Sequence, residues 1–84
     1  ELGEVEASLT RLEAVSEAVV VVKQDQHRQK RLVAYVRVND KVDSSFIRRE
    51  AAKVLPKHVL PSAFVVMAQF PLTPNGKINK RALP

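Results

Sequence analysis

Residues 19–22 read Val-Val-Val-Val, and no other stretch limits the possible folds of this chain as much. Valine is stiff at χ1 and suits a pleated strand better than a helix. Within residues 15–23 the early half, Val-Ser-Glu-Ala, alternates as a strand with one wet face does. Successive side chains on a strand point to opposite faces, so four valines in a row are apolar on both. Such a strand is expected to be covered on both sides. The unbroken apolar stretch around it, residues 18–22, is far too short to cross a bilayer.

The remaining elements follow from the same kind of periodicity. Leu2, Val5, Leu9 and Leu12 recur at helical spacing with Ala7 near the stripe, which predicts an amphipathic helix over 3–12. Glu4 and Glu6 fall in its first turn, where the helix dipole favours carboxylates. Residues 24–30 are polar throughout and read as a hairpin loop. His27 stands in that loop with no second ligand nearby, so it is read as a solvated histidine, and no metal site is expected. A second strand over 31–38 places Leu32, Ala34, Val36 and Val38 on one face and Val33 and Tyr35 on the other. Ser44 is a candidate N-cap for a second helix reaching about Leu55, with Phe46, Ile47, Ala51, Val54 and Leu55 as its buried stripe. Pro56 ends it. A third strand is predicted over 63–68, and residues 80–83 should close as a short helical turn. The fold class expected is α+β, a small sheet of about three strands with two packed helices, in one domain over residues 1–84.

Charge is unevenly spread. The chain has 84 residues and a formal net charge of +5. Residues 1–25 hold six acids against Arg11 and Lys23, whereas from Ser44 onward Glu50 is the only acid against seven cations. One end of the domain therefore suits an anionic partner, and charge alone does not choose between a nucleotide, a nucleic acid and an acidic protein. Arg48, Arg49 and Lys53 lie off the buried stripe of the second helix. They form a solvated face or a docking surface for such a partner. No cysteine is present, which removes disulfides and thiol chemistry and agrees with a cytoplasmic location.

Only residues 71–84, Pro-Leu-Thr-Pro-Asn-Gly-Lys-Ile-Asn-Lys-Arg-Ala-Leu-Pro, resist explanation as ordinary packing. Pro71 and Pro74 stiffen the approach. Asn75 and Gly76 form the dipeptide that most readily reverses a chain, since both tolerate positive φ. Lys77 leaves that turn directly, so stiff flanks present one flexible cation at a reproducible place.

This stretch closely resembles the final core motif of adenylate-forming enzymes, in particular the adenylation domains of non-ribosomal peptide synthetases. There the pattern reads Leu-Pro-Leu-Thr-x-Asn-Gly-Lys, an aliphatic residue, a polar pair and Leu-Pro. Phe70 replaces the first leucine here, and Asn79-Lys80 stands where Asp-Arg is frequent. Two further segments resemble the same family in the same order. Residues 1–6, Glu-Leu-Gly-Glu-Val-Glu, match the end of a motif that follows the family's hinge, and residues 55–65 match Leu-Pro-x-Tyr-Met-Val-Pro-x-x-Phe-Val with His58 at the tyrosine. The chain thus resembles the small C-terminal subdomain of an adenylation domain and reads as a piece of a longer protein beginning just past the hinge.

The resemblance implies a set of expectations. Lys77 falls on the family's catalytic lysine, with Asn75 and Gly76 shaping its turn. The complete enzyme joins a carboxylate to ATP, with Mg²⁺, and passes the acyl group to the phosphopantetheine of a peptidyl carrier protein. ATP and Mg²⁺ are expected mainly on an N-terminal adenylation subdomain, because this chain carries no glycine-rich phosphate loop and no carboxylate cluster. Alone it is expected to be inactive. A stand-alone acyl-CoA or aryl-acid ligase is the near alternative. A small basic nucleic-acid-binding domain, using the Arg48-Arg49-Lys53 face, is the distant one. It lacks the aromatic sheet pair and Gly-x-x-Gly loop of RNA-binding modules, so neither nucleic acid nor membrane is expected as a partner.

Overall fold

The computed structural model describes residues 2–84. Its elements are α1 (Leu2–Thr10), β1 (Val15–Gln24), β2 (Lys30–Val38), α2 (Ser44–Val54), a 3-10 turn (Lys57–Val59), β3 (Ala63–Val66) and a second 3-10 turn (Lys80–Ala82). The three strands form one sheet in the order β1-β2-β3. β1 and β2 are antiparallel, with Val20 opposite Ala34 and Val22 opposite Leu32. β2 and β3 are parallel, with Ala34 beside Phe64 and Tyr35 beside Val65. Parallel neighbours need a crossover, and α2 lies in that connection. The α+β class expected from the sequence is the one observed.

Both faces of the sheet are covered, each by different material. α1, α2 and the residue that caps the C-terminus of α2, Leu55, bury Val5, Leu9, Ile47, Ala51 and Leu55 against Val15, Val20, Ala34, Val36 and Phe64. On the opposite face Val19 and Tyr35 meet Phe70 and Leu83 from the C-terminal segment, with Val21, Val33, Val65, Met67 and Ile78 packed around them. Val15 and Val20 share one core although strand parity would separate them. An irregularity in register between Val15 and Glu17 makes this possible, since one extra residue flips the side chains that precede it. Cover on the helix face stops short of the hairpin, so Val22 remains 49% exposed.

Several boundaries differ from the periodic expectation. α1 ends at Thr10, where the Leu12 N–H turns to the Leu9 carbonyl at 3.0 Å, a tighter three-residue closure. Ala7 is exposed and off the stripe. The N-cap of α2 is Asp43, not Ser44. Its Oδ1 accepts the Phe46 N–H at 2.9 Å, and a carboxylate reaches that orphan donor while also facing the positive end of the dipole. Val54 is 52% exposed, because Ile47, Ala51 and Leu55 already fill the side of α2 that meets the sheet. β3 closes at Val66 rather than residue 68. Glu1, which opens the first motif, lies outside the described residues. Among those described, no helix is long and apolar enough to cross a membrane.

Candidate functional site

The C-terminal segment is pinned to the sheet at both ends, with Ile78 packed against it between them. Phe70 and Leu83 are each 7% exposed. Burying side chains of this size contributes about 2 kcal/mol apiece. The Tyr35 hydroxyl donates to the Pro84 carbonyl oxygen. Lys23 Nζ donates to the same oxygen at 2.9 Å, and its ammonium lies 5.8 Å from the centroid of the Tyr35 ring. Tyr35 is only 1% exposed, so its hydroxyl needs this partner. Sequence reasoning assigned Tyr35 to the correct face but not to this contact. The available signal was a tyrosine patterned onto the same face that the Leu83-Pro84 segment covers.

Between these anchors the chain forms a small hairpin. Leu72 and Ile78 make an antiparallel bridge, and the Asn79 N–H donates to the Pro71 carbonyl at 2.8 Å. The Gly76 N–H closes a turn on the Thr73 carbonyl at 2.9 Å, which puts Pro74 and Asn75 at its centre. Pro74 has the fixed φ that the first central position of such a turn wants. Gly76, at φ +84°, then takes the left-handed position that completes a three-residue hairpin loop. Asn75 and Gly76 both tolerate positive φ, and only one of them uses it. Gly76 alone carries it, because the turn starts one residue earlier.

Lys77 leaves this loop with its backbone held twice by one residue. The Thr73 N–H donates to the Lys77 carbonyl at 2.7 Å, and the Lys77 N–H donates to Thr73 Oγ1 at 3.2 Å. Its side chain is exposed, and no carboxylate among the described residues pairs with it. A clamped backbone under a free ammonium is suited to delivering positive charge to an anion from elsewhere.

The three cations proposed as a docking face are placed differently. Arg48 donates to the Ser62 carbonyl at 3.1 Å and lies over the Phe64 ring at 5.4 Å. Lys53 pairs with Glu50 at 2.9 Å, and Arg49 is exposed beside them. All three are on α2, across the sheet from the Lys77 hairpin. His58 is exposed. No group of three His, Cys, Asp or Glu among the described residues converges as metal ligands do, so these residues do not fit a Mg²⁺ site.

Comparison with known proteins bears on the family and the fold. Residues 4–77 match the model of the AMP-binding enzyme C-terminal domain. The whole chain is 47% identical to part of a dimodular nonribosomal peptide synthase from Bacillus subtilis, of which it spans 4%. It is 48% identical to part of gramicidin S synthase 2 from Brevibacillus brevis, spanning 2% of that protein. Among solved structures, a four-domain nonribosomal peptide synthetase bound to AMP and glycine superposes with a TM-score of 0.90 at 35% identity, over 99% of this chain and 6% of that one.

Proposed function

The chain belongs to the AMP-binding enzyme C-terminal domain family of adenylate-forming enzymes, and from that premise we propose that it is the mobile lid of an amino-acid-activating adenylation domain, with Lys77 as the catalytic group it delivers. The observation that carries this is the exposed, unpaired Lys77 ammonium on a hairpin whose backbone is fixed.

In the first half-reaction a substrate carboxylate oxygen attacks the α-phosphorus of ATP. The bond from that phosphorus to the bridging oxygen breaks, and pyrophosphate leaves with the electron pair. Negative charge crowds between the two anions as they approach. The Lys77 ammonium can donate to both at once, aligning one against the other and offsetting their repulsion. A lysine suits this because it is a compact charge on a long stem with three donors. Mg²⁺ supplies further charge neutralisation when bound elsewhere in the enzyme. In the second half-reaction a phosphopantetheine thiol on a peptidyl carrier protein takes the acyl group, and AMP leaves. Lys77 has no task there, so a lid can withdraw it between steps.

The synthetase names of the relatives favour this reading over a stand-alone acyl-CoA or aryl-acid ligase. The internal partners of Arg48 and Lys53 weigh against a nucleic-acid face. The test is Lys77→Ala in the complete enzyme. Acyl-adenylate formation should fall about a hundredfold or more, as when a transition-state donor is removed. Thioester formation from supplied acyl-adenylate should stay near the parent rate. Equal loss of both half-reactions would make Lys77 structural and end the proposal.

A further inference from the structure

The chain builds one loop geometry twice, and the comparison isolates Thr73. In the β1–β2 hairpin the Asp25 N–H donates to the Gln29 carbonyl at 2.9 Å, and the Arg28 N–H donates to the Asp25 carbonyl at 2.9 Å. Arg28 is left-handed at φ 63°. The Lys77 hairpin repeats these bonds with Thr73, Gly76 and Lys77 in the places of Asp25, Arg28 and Gln29.

The side chain at the first position differs in one respect that matters. Asp25 Oδ1 accepts the His27 and Gln29 N–H groups at 2.8 and 2.9 Å, while its Oδ2 binds the Arg31 guanidinium at 3.0 Å. A carboxylate there holds the loop and also captures a cation six residues on. Asn79 takes that place in the second hairpin, where Lys77 instead stands directly across from residue 73 and within reach of any charge there. Thr73 Oγ1 accepts the Lys77 N–H at 3.2 Å and carries no charge. Resting on the reading of Lys77 above, we infer that Thr73 is its positioning residue, with a hydroxyl that fixes the lysine backbone and a neutrality that leaves the ammonium free for the reacting anions.

Two requirements follow, and separate variants address each. Thr73→Val keeps the shape and removes the acceptor. Thr73→Asp keeps an acceptor, as Asp25 shows, and adds a negative charge beside Lys77. Both belong in the complete enzyme, alongside Thr73→Ser and Lys77→Ala. Acyl-adenylate formation is measured in single turnovers with ATP, and thioester formation from supplied acyl-adenylate, with the thermal midpoint recorded for each variant.

Thr73→Val and Thr73→Asp should each slow adenylation about tenfold to a hundredfold, the loss expected when a reacting group is misplaced or neutralised. The fall should lie in the maximal single-turnover rate rather than in the acid concentration that gives half of it. Thioester formation should hold, and Thr73→Ser should restore most of the adenylation rate. Adenylation at the parent rate in Thr73→Val would overturn the role of the hydroxyl. The same result in Thr73→Asp would overturn the role of neutrality. Equal loss of both half-reactions in either variant would make Thr73 a folding residue only. If Lys77→Ala itself adenylates normally, the reading of Lys77 fails instead, and that outcome is distinct from a Lys77-dependent enzyme indifferent to Thr73.

Discussion

The Glu6 carboxylate on α1 accepts the backbone N–H of Val20 on β1 at 2.8 Å, a contact between residues 14 apart in sequence. β1 is an outer strand, so alternate N–H groups along it have no strand partner. Glu6 occupies one of them. First-turn dipole stabilisation accounts for Glu4, but the role of Glu6 is to satisfy the edge of the sheet.

Removing that acceptor should leave a part-buried donor without its partner. Glu6→Ala is expected to destabilise the fold by about 1–2 kcal/mol, measured as a lower urea midpoint at unchanged slope. Glu6→Gln keeps an acceptor oxygen and should lose less than half as much. An Ala variant as stable as the parent would show that water replaces the carboxylate without cost.

This contact marks where sequence reasoning stopped. The strands and their two faces were legible because the alternation of Leu32 to Val38 and the run Val19 to Val22 report two opposed faces, and each face did find its cover. The parallel pairing of β2 with β3 was not legible. The turn that presents Lys77 was legible because stiff, turn-prone residues surround it. Glu6 with Val20 and Tyr35 with Pro84 were not, since each joins residues whose local patterns are complete without the other. Local signals also misplace by a residue when two candidates compete, as Asp43 and Ser44 do for the cap. Val54 failed for a different reason. Helical spacing says which side chains share a face, not how wide the neighbouring surface is.

The two matched hairpins differ at their left-handed residue, and this predicts stability changes of opposite sign. Gly76 stands at φ +84°, and a Cβ built on it meets nothing within 4 Å. Gly76→Ala should still cost about 1 kcal/mol, because the penalty is in the backbone rather than in packing. Arg28 already carries such a penalty at φ 63°. Arg28→Gly should therefore raise stability by up to about 1 kcal/mol, seen as a thermal midpoint several degrees higher. A gain on Gly76→Ala, or a loss on Arg28→Gly, would show that the left-handed strain is not what distinguishes these loops.

Asp25 links the first hairpin to pH. The Gln29 backbone N–H and then the Arg31 guanidinium, with a smaller contribution from the His27 N–H, hold its carboxyl below the usual carboxylate range. All three favour the ionised form. The unfolded chain therefore binds the proton more readily than the folded one. The stabilisation is fully present above the unfolded value, about 4, and is lost as pH falls through the lower folded value. In Asp25→Asn the amide oxygen can still accept from His27 and Gln29, but its nitrogen then faces the Arg31 donor. The stability difference between parent and variant should be constant from neutral pH down to about 5 and shrink below pH 4. Denaturation curves taken across that range decide it. A difference that does not change with pH would mean the Asp25 charge contributes nothing, and that the loop is held by its backbone bonds alone.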